Sequence, residues 1–139
     1  MREYVRIALP EQVRAFREAW MPRACGIAET LGLPYRVEAA NDPFFGRGGT
    51  LVGKAQLQQE LKFELLVPVR SAEKPTACMS FNYHREHFGV VWNMKDDRGE
   101  TAHTSCVAFG IDRLVVALFA NHGIEPARWP AVTRRALGI

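Results

Sequence analysis

The sequence predicts an α+β fold, an antiparallel β-sheet flanked by helices, on three observations. Apolar runs of strand length outnumber helical patterns and do not alternate with them as in a parallel α/β fold. One long stripe, Val13, Phe16, Trp20, Ala24, Ile27 and Leu31, recurs at steps of three and four, like the buried face of a helix. Residues 106–111 alternate small Cys106, Ala108 and Gly110 with bulky Val107, Phe109 and Ile111, the period of a strand. A chain of 139 residues makes one domain or a piece of one, and 47% hydrophobic with 24% charged residues excludes a disordered composition.

Residues 2–9 alternate as a first strand, with Glu3, Val5 and Ile7 on one side and Arg2, Tyr4 and Arg6 on the other, and Pro10 ends it. In the helix that follows, Pro22 predicts a kink or two short helices, Gly32 a C-cap and Pro34 a stop. Residues 34–40 read as a second strand. Asn41-Asp42-Pro43 and Gly46-Arg47-Gly48-Gly49 make a turn-rich loop. The apolar run 62–69 is the third strand and 77–83 the fourth. Residues 84–88 read as a helical turn, 89–94 as another strand, and Lys95-Asp96-Asp97-Arg98-Gly99 as a charged turn. The last strand covers 101–111. Residues 113–122 form an apolar helix that Asp112 caps and Gly123 closes. A short basic tail, 126–139, follows.

Several function classes are disfavoured. No apolar run reaches the roughly 18 residues of a membrane span. The opening Met1-Arg2-Glu3-Tyr4-Val5-Arg6 lacks the apolar stretch of a secretory leader, so a cytoplasmic protein is expected. Three cysteines, Cys25, Cys78 and Cys106, do not make a disulfide framework. A net charge of +3 and a pI near 9.0 favour anionic ligands, but no basic run suggests a nucleic-acid stripe.

Four motifs carry chemistry. Residues 48–55 match G-x-x-x-x-G-K, but Ala55 stands where a phosphate-binding loop needs Ser or Thr for Mg²⁺, and Pro43 argues against the preceding strand; a plain glycine loop fits better. His84 and His87 could share a helix face and bind a metal, but the pattern is not H-E-x-x-H and no third ligand is near in sequence, so a solvated turn is the better reading. His122 sits where a helix dipole favours a cation, and Cys25 lies beside the apolar stripe as core filler. The stretch 106–113 is more telling. Its small face leaves room for a flat ligand on the backbone, and Arg113 at the helix start joins a guanidinium to free N–H groups, a natural phosphate site.

This strand–Arg–helix order resembles motif 3 of class II aminoacyl-tRNA synthetase catalytic domains. The succession of Leu33-Pro34-Tyr35-Arg36-Val37, the strand at 63–69, the segment 76–82 and the stretch 103–113 resembles a seryl-tRNA synthetase core. In detail the chain is most similar to the amino acid:[carrier protein] ligases, synthetase-like cores without a tRNA-binding arm. The supporting stretches are residues 1–6, residues 40–47, Met79-Ser80-Phe81-Asn82-Tyr83-His84 and His103-Thr104-Ser105-Cys106.

The resemblance implies an enzyme that activates a small amino acid, glycine or alanine, with ATP and Mg²⁺. It then passes the aminoacyl group to the phosphopantetheine thiol of a carrier protein. It also implies Zn²⁺ at the substrate amine, with Glu3 and Cys106 as ligands, and Arg113 as the catalytic arginine on the ATP phosphates. Thr76 and Ala77 would present backbone to adenine, and Glu3, Ser105 and Asn82 would meet the amino acid. The family pattern places another zinc cysteine, the motif 2 arginine and the dimer-forming motif 1 upstream of Met1, and nothing in the spacing of Cys25 or Cys78 makes either the missing ligand. The complete protein is expected to be a homodimer that uses neither tRNA nor a membrane. Arg128, Arg134 and Arg135 make too short a tail to replace a tRNA-binding arm. A rival from another class stays open: a non-catalytic synthetase paralogue that keeps only binding, or a truncated inactive remnant.

Overall fold

The computed structural model describes residues 1–40 and 61–139. The glycine-rich segment 48–55 and the turns at 41–49 lie outside the described residues. Within them the chain forms strand β1 (Arg2–Ala8), helix α1 (Pro10–Thr30), β2 (Arg36–Ala39), β3 (Lys62–Val67) and β4 (Thr76–Arg85). There follow a short helix α2 (His87–Val91), β5 (His103–Phe109), α3 (Ile111–His122), a 3₁₀ turn at Pro126–Arg128 and α4 (Ala131–Leu137). The strands make one antiparallel sheet in the order β1-β5-β4-β3-β2. The predicted α+β class is therefore the observed one.

Pairing fixes which side chains share a face. Tyr4 pairs with Val107, Val107 with Phe81 and Phe81 with Phe63, so these four stand in one row across the sheet. Helix α1 covers this face. Tyr4 meets Phe16 and Trp20 edge-on, each at 5.3 Å between ring centres, and Trp20 meets Phe109 at 6.2 Å. Leu65, Met79, Phe81 and Val107 pack there with Ala24 and Ala28, all essentially inaccessible to solvent. Burial of this area is the main force holding helix to sheet.

Helix α1 runs unbroken through Pro22, although proline removes one ladder hydrogen bond. Of the predicted stripe, Val13, Ala24 and Leu31 are buried and Phe16 and Trp20 pack against the core, while Ile27 is exposed. Arg17 and Ala28 are buried as well, and Arg17 lays its guanidinium over the Phe63 ring at 5.2 Å. The C-terminus behaves as Gly32 predicts: with φ +66° it lets Gly32 N–H reach Glu29 O and Leu33 N–H reach Ala28 O, both at 2.9 Å. His122 does not merely sit on its own helix dipole. Its Nε2 lies 2.8 Å from Leu31 O, and Thr133 Oγ1 donates to the same carbonyl at 3.1 Å, so α3 and α4 together close the end of α1.

Two further expectations change. Residues 89–94 are not a strand but belong mainly to α2 and the turn after it, since both edges of β5 are already occupied by β1 and β4. Local bonds take over instead, Val90 N–H to Glu86 O at 2.8 Å and Trp92 N–H to Phe88 O at 2.9 Å. Asp112 lies inside the first turn of α3 rather than capping it; Gly110 precedes the helix and its carbonyl accepts Leu114 N–H at 2.9 Å. The charged turn at 95–99 forms as expected, with Asp96 Oδ1 accepting Arg98 N–H at 2.9 Å and Glu100 N–H at 2.8 Å.

Gly89 is the tightest point of α2. A Cβ there would fall on the Ala102 carbonyl oxygen and lie 2.8 Å from Thr101 Cγ2, whereas one at Gly26 in α1 would touch nothing. Gly89→Ala is expected to lower unfolding free energy by about 1–3 kcal/mol. Gly26→Ala is expected to raise it by about 0.5–1 kcal/mol. Urea melts of the two variants check both signs.

Candidate active site

The sheet face opposite α1 carries the polar residues. Lys62, Asn82, Cys106 and Val5 form one cross-strand row, and Glu64, Ser80, Ala108 and Glu3 form the next. A bulge between Tyr83 and Arg85 adds one residue to β4 opposite β5, and His84 is that residue. Its ring lies on the same face, with Nδ1 3.0 Å from Thr104 Oγ1 and Nε2 3.7 Å from Cys106 Sγ.

Two depressions open on this face. One, of about 320 Å³, contains Glu3, His84, Thr104 and Cys106 and is walled by Val5, Ile7, Phe88 and Trp92. The other, of about 280 Å³, lies over Ser80 and Ala108, between Lys62 and Glu64 on one side and Gly110, Asp112 and Arg113 on the other. Lys62 Nζ and Glu64 Oε1 stand 3.5 Å apart across its wall.

Glu3 and Cys106 meet as the motif resemblance requires, on one face and in one pocket, with Oε1 3.9 Å from Sγ. A tetrahedral zinc ion holds sulfur at about 2.3 Å and carboxylate oxygen at about 2.1 Å, which sets those donors about 3.6 Å apart. The pair therefore fits two corners of such a site. Among the described residues no three His, Cys, Asp or Glu side chains form a metal-holding group, so a zinc ion between Glu3 and Cys106 would need a further donor. The Cys106 thiol is pushed up by burial and by the Glu3 carboxylate, partly offset by the Asn82 amide and the Lys62 charge. As a free thiol it keeps its proton at neutral pH.

Arg113 projects from the first turn of α3 and is exposed. Its Nη1 donates to Ala77 O at 2.8 Å. Ala77 lines the second depression beside Arg113, and Thr76 lies with Arg113, Val69 and Val116 in a shallower one. Thr76, Ala77 and Arg113 are thus brought together. The α3 start is held to β4 by Gly110 N–H on Cys78 O at 2.8 Å.

Ser105 requires a correction. It is fully buried on the α1 side and donates to Asn82 O at 2.6 Å, so it is no wall of either depression. Its odd position in β5 places it with Val107 and Phe109, opposite Cys106. Asn82 does reach the open face, but its Nδ2 serves Ser80 Oγ at 3.2 Å and Cys106 Sγ at 3.3 Å. Lys62, Ser80 and Thr104 line the two depressions although the sequence reading did not name them as site residues, and His84, named there as one of a possible metal pair, lines the first without His87. Alternation within Ser80-Phe81-Asn82-Tyr83-His84, polar against aromatic, is the signal that marks three residues of this face.

No protein-family model matches the chain. Two curated relatives from Bradyrhizobium diazoefficiens, amino acid–[acyl-carrier-protein] ligases 1 and 2, are 60% and 58% identical over all 139 residues. The chain spans 43% and 42% of their lengths. A solved structure of M. kandleri seryl-tRNA synthetase, in complex with A. aeolicus tRNASec, superimposes with a TM-score of 0.75 at 30% identity, covering 98% of this chain and 28% of that one. The resemblance to the amino acid–[carrier protein] ligases therefore extends over every residue, and the fold is that of part of a class II synthetase-like core.

Burial pushes the Cys78 thiol up, against a smaller opposing effect of Arg113. At pH 8 it holds less thiolate than a free cysteine and is also shielded. Iodoacetamide at that pH is expected to label half-buried Cys25 first and Cys78 only on unfolding, as peptide mass mapping over time would reveal.

Proposed function

We propose that the protein carrying this chain is an ATP-dependent ligase that activates glycine or alanine. The aminoacyl group then moves to the phosphopantetheine thiol of an acyl carrier protein. The observation that carries this reading is the placement of the two depressions on one open sheet face. Glu3 and Cys106 lie in one, Arg113 in the other, and Ala108 forms the floor of the second. Similarity along the whole of this chain to part of two amino acid–[acyl-carrier-protein] ligases supports the substrate class.

The chemistry follows from charge. The amino acid carboxylate attacks the α-phosphorus of ATP in line, forming a C–O–P linkage and expelling pyrophosphate. Negative charge grows on the phosphate oxygens and on the leaving group. Arg113 can grip two of those oxygens with a planar, permanently charged fork, and the N–H groups opening α3 reinforce it. In the unliganded protein the guanidinium rests on Ala77 O, which keeps it beside the cavity. Mg²⁺ would accompany the phosphates. Zinc held by Glu3, Cys106 and a donor from outside this chain would select a free α-amine. The carrier thiol then displaces AMP from the activated carboxyl, giving a thioester.

Glycine- or alanine-dependent ATP–pyrophosphate exchange by the complete protein tests the activation step. Loading of labelled glycine onto a phosphopantetheinylated carrier, and not onto tRNA, tests the transfer. Efficient tRNA charging would overturn the carrier-protein reading, and absence of exchange would leave a binding module.

Arg113→Ala is expected to cut exchange by at least about 10²-fold, the scale for removing one preorganised charge stabiliser. Arg113→Lys should recover part of it, since lysine offers a point charge without the fork. Thermal stability should fall little, because only one exposed hydrogen bond is lost. Near-normal exchange in the alanine variant would remove Arg113 from the phosphate site.

A further inference from the structure

We infer that Asn82 and His84 are positioning residues for the metal-site sulfur, forming a two-donor cradle around Cys106 Sγ. The inference rests on the zinc half-site proposed above and concerns how this chain prepares its thiolate. Asn82 Nδ2 approaches the sulfur at 3.3 Å and His84 Nε2 at 3.7 Å, both from β4. Glu3 Oε1 lies at 3.9 Å from the same atom, but on β1. The sulfur is thus flanked by one carboxylate and two nitrogen groups.

Each nitrogen is held by a second contact. Asn82 Nδ2 also donates to Ser80 Oγ at 3.2 Å, a second contact that holds the amide beside Cys106. His84 Nδ1 lies 3.0 Å from Thr104 Oγ1. A Thr104 hydroxyl that donates to Nδ1 would leave the ring proton on Nε2, facing the sulfur. The β4 bulge is what brings the ring there, adding His84 opposite β5 between the Tyr83–Ser105 and Arg85–Thr104 pairs. Arg85 closes the bulge at φ +54°, an uncommon conformation for a residue with a side chain.

His84 could instead be read as a metal ligand, since 3.7 Å also suits two zinc donors. Among the described residues, however, no three such groups converge on one point. A donor role needs only the His84–Cys106 contact, and the adjacent Asn82 amide makes the same kind of contact. A metal-bound thiolate carries excess negative charge, and two N–H donors disperse it while aiming the sulfur lone pairs.

The test uses the complete protein loaded separately with zinc and with cobalt(II). Asn82→Leu keeps shape and removes the donor; His84→Ala removes the ring, and His84→Gln restores an N–H. Both positions are half-buried, and circular dichroism confirms that each variant is folded. Asn82→Leu and His84→Ala are each expected to weaken zinc binding about 10- to 100-fold. Each should also shift the sulfur-to-cobalt charge-transfer band to lower energy, because an undispersed thiolate gives up its electron more easily. His84→Gln should recover both properties in part. A folded wild-type protein that binds neither metal would overturn the zinc half-site itself. Metal binding with unchanged affinity and an unmoved band in the variants would overturn the cradle alone. Complete loss of metal in His84→Gln, with the band abolished, would make His84 a ligand and overturn its positioning role.

Discussion

The register of β5 between β1 and β4 is the constraint on which the rest of the site depends. Side chains on a strand alternate, so a slip of one residue would carry Cys106 into the α1 interface and lift Val107 into the open groove. Such a slip is strongly opposed. Val107 is fully buried beneath α1 and Phe109 packs against the same core, and exchanging them for Cys106 and Ala108 would strand bulky apolar groups in water. The core on one face thereby sets the chemistry on the other.

The same register is locked at its far end. Gly110 leaves β5 with its N–H on Cys78 O, and α3 begins at once. A side chain at 110 would meet Cys78 O at 3.2 Å and Arg113 Cδ at 3.3 Å, so close approach at this corner favours glycine. The junction therefore holds Arg113 near β4 without burying its charge. Its position follows from a strand pairing rather than from a flexible loop, which is how a fold can keep a permanently charged group poised on an open surface.

Much of this was legible where period and chemistry agreed. The contrast of Cys106 and Ala108 with Val107 and Phe109 marks both faces of β5, and Glu3, Val5 and Ile7 mark the matching face of β1. Ser105 was misplaced because a motif likeness was followed against the same period that placed Cys106 correctly. His84 was visible as a candidate, but its place beside Cys106 was not, since a bulge is set by pairing partners far along the chain. Residues 89–94 misled for a related reason: their apolar run has strand character, but the sheet offers them no free edge on β5. Arg17 joins the buried face of α1 beside Phe63, a partner that helical periodicity cannot reveal.

The small residues of β5 have a final consequence for the proposed reaction. From Cys106 to Gly110 the strand advances about 13 Å at about 3.4 Å per residue. An amino acid whose amine faces Glu3 and Cys106 would therefore point its carboxylate along the strand, toward the cavity that Arg113 borders. Ala108 lies between, and its single methyl leaves the floor low enough for a substrate to lie against the backbone. A branched or aromatic side chain there would rise between the two depressions and separate amine recognition from phosphate recognition. The alternation that buries Val107 and Phe109 under α1 is thus also the one that keeps a low path on the open side, and the proposed two-step reaction would require the small face of β5 as much as the charged groups at its ends.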